Sequence, residues 1–308
     1  MIERKRHLIK DLDRRLQRAE NSIRLTGIRR NAARACLVRQ LADSIGRVEY
    51  FRQLTNRELV MSPDYLSASN FNPIKTAIWE AKRDNLDEAC WLLFLATHFG
   101  MNRRTRWRLV WAVYTRIGGR QVWNWKEVSH DVNRFATWLQ QHSAALRLNG
   151  PFGNHRKYES LHSPNGTALA ITSYTDWVLE AGDHGTLFAH AGGLEATPSE
   201  RFDALYQAMN RVARFGRTAK FDYLTMLGKA GFADIEPGIA YLNGSSGPAV
   251  GARLLFTGRR DSQLGPVQLE ERLAMLAEHL TFPFAMQVLE DALCNWQKEP
   301  TNYRYFAG

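Results

Sequence analysis

Apolar side chains recur at three- and four-residue spacing along nearly all of this 308-residue chain, and no segment alternates apolar and polar residues as a half-buried strand would. That periodicity predicts an all-α, multi-helical fold. Leu8, Leu12, Leu16 and Ile23 give a thin stripe, followed by helical segments at Ala32–Ile45 and near Val48–Leu54. Pro63 and the turn Asn70-Phe71-Asn72-Pro73 separate these from Ile74–Lys82. Asp87–Phe99 stops at Gly100 and Arg106–Ile117 at Gly118, as helices do where glycine takes the residue after the last turn. Val132–Leu146, Thr167–Leu179, Ser199–Arg214, Thr218–Lys229, Gln268–Leu280 and Pro283–Trp296 complete the set, and no repeat of 20–50 residues is visible.

The glycine- and proline-bearing stretch at 148–153 predicts a boundary, with a second candidate in the glycine- and histidine-rich loop 181–197. The expected organisation is a basic helical arm at 1–44, a helical half at 45–150 and a second half at 151–308. Charge is uneven. Residues 1–39 hold 12 Lys/Arg against 4 Asp/Glu, so +8 of the net +10 lies there. Such an arm can track a polyanion in a salt-sensitive way, or it can be a solvated helical face, with Arg14, Arg15 and Arg18 flanked by Asp11, Asp13 and Glu20. The longest apolar run, Ala89–Ala96, is too short to span a bilayer, and the first residues lack a secretory pattern. Cys36, Cys90 and Cys294 are odd in number and far apart, which points to a reducing cytoplasm and away from a zinc ribbon.

The segment 211–228 carries the most chemistry. Arg211, Arg214, Arg217 and Lys220 recur every third residue, and no acid appears between Asp203 and Asp222. Gly216 can turn the chain, Thr218 can cap a new helix, and Asp222 then sits on its second turn among cations that should keep it ionised. Amides, cations and one carboxylate suit a nucleic-acid phosphate held beside a reactive group. The same residues also describe a solvated helix in which Asp222 pairs Lys220 or Arg217.

Three further clusters stand out. Arg103, Arg104, Arg106 and Arg108 follow the apolar helix ending at Gly100, with Trp107 among them; the first two suit phosphate oxygens. His98, near that helix's C-terminus, should tend to hold a proton. Phe152–Glu159 packs His155, Arg156, Lys157, Tyr158 and Glu159 into a loop leading to a helix, where His155 and Glu159 lie one turn apart and can share a proton. Gln287, Asp291 and Asn295 form a polar stripe on the last helix, able to read a base edge, hold a water, or tie helices together. There is no Walker-type phosphate loop, no His-Glu-x-x-His, no Gly-x-Ser-x-Gly, and His184 and His190 have no acids at ligand spacing, so no metal or other cofactor is expected.

The blocks Trp91–Gly100, Phe152–Glu159, Phe215–Leu227 and Glu290–Gln297 resemble the α-glutamyl/putrescinyl thymine pyrophosphorylases, in a clade found in bacterial and phage genomes. The likeness spans about residues 45–300. It implies thymine hypermodification in DNA: an amine or amino acid replaces pyrophosphate on 5-(pyrophosphoryloxymethyl)uracil. It also implies functional partnership with a 5-hydroxymethyluracil DNA kinase, a helical scaffold similar to base-flipping DNA glycosylases, and a cytoplasmic site of action, nucleoid-associated or in a phage host. Asp222 would correspond to the family's acidic residue. The implied chemistry suits Arg103, Arg104, Arg156, Arg214, Arg217 and Lys220 for phosphate, Asp222 or His155 as proton acceptor with Asp291 as the alternative, and Tyr223, Asn295 and Trp296 for a flipped base. The glycosylase hairpin Leu-Pro-Gly-x-Gly is missing. A glycosylase-like enzyme acting on a modified base and a non-catalytic DNA-binding protein are the competing readings.

Overall fold

A computed structural model describes residues 2–306; Met1 of the expected arm and Ala307 and Gly308 of the expected C-terminal half lie outside the described residues. Among these the chain forms fifteen α-helices and three short 3-10 turns, with an isolated bridge between Asn102 and Arg106 in place of any strand. The all-α expectation holds. Internal contacts divide the chain into two units, Met1–Arg52 with Pro237–Gly308, and Gln53–Glu236. The boundary expected near 150 therefore falls inside the second unit, and the basic N-terminal residues belong to the first together with the C-terminal helices.

In the first unit, Leu12, Leu16 and Ala19 of the helix Ile2–Ala19 are buried in a core shared with Leu37, Leu41, Leu255, Leu273, Leu289 and Trp296. Lys5 Nζ reaches Asp43 at 2.6 Å and Arg15 Nη1 donates to the Leu280 carbonyl at 2.5 Å. On the opposite side Arg6, Lys10, Arg14 and Arg18 are exposed at four-residue spacing, one cationic stripe along the helix. Where two helices were expected after residue 31, one helix runs Asn31–Asn56; Gly46 is exposed and costs the helix too little to break it. The helix Gly247–Thr257 is not legible from periodicity because glycine and proline open it. Pro248 occupies the first turn, where its missing N–H is not needed, and a side chain on Gly251 would strike the Leu293 carbonyl of the helix Ala285–Trp296.

The second unit is built around Leu86–Phe99, in which every residue from Glu88 to Phe99 is buried. A helix that is apolar all round needs neighbours on every side, and Pro73–Ala81, Arg108–Tyr114, Trp125–His130, His184–His190 and Arg217–Ala230 supply them. Phe94 stacks on Tyr174 with centroids 3.7 Å apart and on Phe215 at 4.7 Å. The loop expected at 181–197 contains a helix, His184–His190, capped by Asp183. His184 is buried there, with Nδ1 2.6 Å from Asp87 and Nε2 2.6 Å from the Tyr174 hydroxyl. Burial pushes its pKa down, and the Asp87 contact only partly offsets that.

Glu88 is the buried acid of this unit. Its oxygens accept from the Tyr114 hydroxyl and the Trp125 N–H, both at 2.6 Å, yet burial pushes its pKa up to about 7. The native state thus binds this proton more tightly than the unfolded chain does. The contribution of Glu88 to stability should be complete below the ordinary carboxylate range and fall by about 3 kcal/mol as pH rises to about 7. Thermal denaturation of Glu88→Gln beside the parent should flatten the decline between pH 4.5 and 7. An unchanged slope would assign the acid-side stability elsewhere.

Candidate functional site

Three segments far apart in sequence meet in the second unit. The loop after Phe99 and the loop at 152–156 cross with their backbones in contact: Gly153 N–H donates to the Phe99 carbonyl at 2.8 Å, and a Cβ on Gly153 would lie 2.8 Å from the Gly100 carbonyl carbon. Arg156 then donates from Nε to the Thr97 carbonyl at 3.0 Å and lies over the Phe215 ring at 5.8 Å. Arg214 closes the third side through Nε to Glu159 at 2.9 Å. It does so from a left-handed backbone, φ 64°, which a non-glycine residue holds only where its surroundings impose it. These links leave Arg103 and Arg104 exposed on one loop, with Asn102 Oδ1 accepting from the Arg104 and Thr105 N–H groups, and His155 exposed on the next.

Asp222 lies close enough to Arg156, His155, Lys229 and Arg217 to interact with them electrostatically. The helix that carries it runs Arg217–Ala230, starting one residue before Thr218; Gly216 is its N-cap, and no side chain caps it. Thr218 is therefore inside the first turn, and the helix's positive end is left open toward the turn. The Asp222 carboxylate is half-buried and makes no hydrogen bond or ion pair among the described residues. Burial pushes its pKa up, against the pull of Arg156, His155, Lys229 and Arg217 in that order. The cations expected to favour its ionised form are present, and desolvation outweighs them in the direction of the shift. A carboxyl with a raised pKa and no hydrogen-bond partner can take up a proton more readily than an ordinary carboxylate.

Other residues separate from this group. Glu159 pairs with Arg214, so it does not share a proton with His155, and the loop runs into the 3-10 turn Asn154–Arg156, not a helix. His98 is buried, its Nε2 3.0 Å from the Thr167 hydroxyl and its ring parallel to Phe94 and Phe215. Burial, with Arg156 and Arg214 adding to it, pushes His98 down to about 3; the helix end does not hold a proton there. Lys220 is 6% exposed, its ammonium 2.6 Å from Asn210 Oδ1 and 3.9 Å from the Tyr206 ring, so it packs inward and is not available for phosphate. Arg217 lies half-buried over the Phe221 ring at 4.9 Å.

The residues expected to contact a base are core residues. Tyr223 follows Asp222 but faces the interior, its hydroxyl 2.7 Å from that of Tyr174. Trp296 is fully buried in the first unit, where Nε1 donates to the Ala33 and Pro300 carbonyls. Asn295 bonds Asp291 and Lys298, and Asp291 pairs with Arg47. The polar stripe on the last helix ties that helix to its neighbours, and its acid is spent in doing so. Among the described residues no three or more His, Cys, Asp or Glu side chains are grouped to hold a metal ion, and no helix is long and apolar enough to cross a membrane.

The family described as alpha-glutamyl/putrescinyl thymine pyrophosphorylase clade 3 matches residues 32–308. No curated protein and no solved structure matches the chain.

Proposed function

Since the chain belongs to the alpha-glutamyl/putrescinyl thymine pyrophosphorylases, clade 3, we propose that it replaces pyrophosphate on 5-(pyrophosphoryloxymethyl)uracil in DNA by an amine or amino acid, using Asp222 as the proton acceptor. The observation that supports this reading is the Asp222 carboxyl, without a hydrogen bond or ion pair among the described residues and acted on by the charges of Arg156, His155, Lys229 and Arg217. In the step proposed, the bond from the methylene carbon to the bridging oxygen breaks and pyrophosphate leaves with the electron pair. Arg103, Arg104 and Arg214 oppose the charge that develops on it. The amine lone pair forms the new carbon–nitrogen bond, and the nitrogen gives a proton to Asp222. Arg156, tethered to Thr97, keeps the carboxyl beside the leaving-group site. The base must leave the duplex to reach Asp222, and with Tyr223 and Trp296 in the core, the exposed Tyr158 is the aromatic of the site loops best placed to meet it.

The assay is direct. DNA carrying the pyrophosphorylated base is incubated with the protein and a pool of amines and amino acids, then digested to nucleosides for mass spectrometry. New amino-substituted nucleosides with release of pyrophosphate are expected. Abasic sites would identify a glycosylase, and unchanged DNA a binding protein without this chemistry.

The stripe of Arg6, Lys10, Arg14 and Arg18 is proposed to track the DNA backbone. Deleting the first thirty residues would remove Leu12, Leu16 and Ile28 from a core, so charge substitution is the cleaner test. Replacing Arg6, Lys10 and Arg18 together by Ala should lower the slope of log affinity against log salt by up to about 3, with folding kept. An unchanged slope would leave the stripe as a solvated face.

A further inference from the structure

A cavity of about 480 Å³ in the first unit is lined by none of the residues assigned above. It opens between the turn after the first helix and the helices Gly247–Thr257 and Pro266–Leu280. Its size is that of a small-molecule cleft. Ile23 and Phe256 are buried and form an apolar floor, Leu264 is half-buried, and Met275 stands exposed at the rim. Two arginines line it, Arg24 exposed and Arg272 half-buried, and no acidic side chain does. Among the described residues neither arginine makes a hydrogen bond or ion pair; Arg272 only leans on the Phe256 ring, at 5.8 Å. Most arginines elsewhere in this unit that border the core are neutralised, as Arg15 is by Asp11, Arg34 by Asp13 and Arg47 by Asp291. Two uncompensated cations over an apolar floor are an arrangement that an anion completes: its charged end takes the guanidinium forks, and its body covers Phe256 and Ile23.

We propose that this cavity binds a small organic anion, a carboxylate or phosphate ester with an apolar body, at a site separate from Asp222. Inorganic anions satisfy only half of it and bind weakly. Because the turn at 22–26 and two helices share the lining, the ligand also raises the melting temperature of the native state.

The test uses the full chain and 8-anilinonaphthalene-1-sulfonate, an aromatic anion whose fluorescence rises in apolar surroundings. One saturable site is expected. Arg24→Gln with Arg272→Gln should weaken it by about tenfold or more, the loss expected when charged hydrogen bonds are removed. Met275→Trp, which fills the mouth without touching the charge, should weaken it as well. Circular dichroism checks that each variant is folded, and the two variants fail by different routes. Displacement by hexanoate and by hexyl phosphate separates the two head groups, and inorganic phosphate should displace the probe far less well than hexyl phosphate. Unchanged affinity in both variants overturns the site. Equal displacement by inorganic and hexyl phosphate overturns the role of the apolar floor. Neither readout involves turnover, so the outcome stands apart from the reaction proposed above.

Discussion

Asp222→Asn is expected to reduce turnover on pyrophosphorylated DNA by at least about a hundredfold, roughly 3 kcal/mol in barrier, while leaving DNA affinity nearly unchanged and raising thermal stability at neutral pH. The amide keeps the shape of the side chain but cannot accept the proton of the incoming amine. The stability gain follows from the raised pKa. A carboxyl that binds its proton more tightly in the native state penalises folding once it is ionised. That penalty is complete above the folded pKa and disappears as pH falls below the unfolded value. Removing the charge removes the penalty, so the variant should melt higher at pH 7 and equal to the parent in acid. Single-turnover kinetics beside calorimetry measure both effects. A variant that melts lower and keeps its specific activity would make Asp222 a structural residue.

The second large effect is expected at Gly153. A methyl group there would meet the Gly100 carbonyl carbon at 2.8 Å and its Cα at 2.9 Å, and both are backbone atoms that cannot swing aside. Gly153→Ala must push apart the loop bearing Arg103 and Arg104 and the loop bearing His155 and Arg156. A displacement near an ångström is enough to cost about a hundredfold in turnover, with a loss of about 1–3 kcal/mol in stability for the overpacked crossing. Lys157→Ala, which trims an exposed side chain just after the crossing, provides the control for a change without the clash. Equal activity in Gly153→Ala and its parent would show that the crossing does not position the site.

The two effects show where reading the sequence succeeds. Thr167–Leu179 appears as its spacing predicts, because nothing in it competes with an amphipathic helix. The cationic clusters at 103–104, 155–156 and 211–217 were visible as chemistry, since charged residues crowded between apolar helices need a task or a solvent. Their meeting was not visible. It depends on Gly100 and Gly153, which in sequence are ordinary breakers, and on a carbonyl of Thr97 that has no sequence signature at all. Tyr223 and Trp296 depart from expectation for the opposite reason: an aromatic with one polar atom looks the same whether it awaits a base or bonds a neighbour in the core. Lys220 shows the same ambiguity, its stem and ammonium being satisfied by Tyr206 and Asn210. For His184 the missing signal was distance along the chain, because its acid, Asp87, lies 97 residues away.

The first unit is made from both ends of the sequence, with the second unit inserted between its parts. Trp296 donates to the carbonyl of Ala33 across 263 residues. Translation therefore presents Leu12, Leu37 and Leu41 to solvent long before Leu273, Leu289 and Trp296 exist to cover them. Meanwhile the inserted unit has all of its own sequence and can complete its core. The order of assembly is thus inside first and outside last, and the early helices must stay soluble while they wait. The cationic stripe of Arg6, Lys10, Arg14 and Arg18 suits that interval as well as it suits DNA: like charges along the nascent helix keep its uncovered leucines from meeting those of another chain.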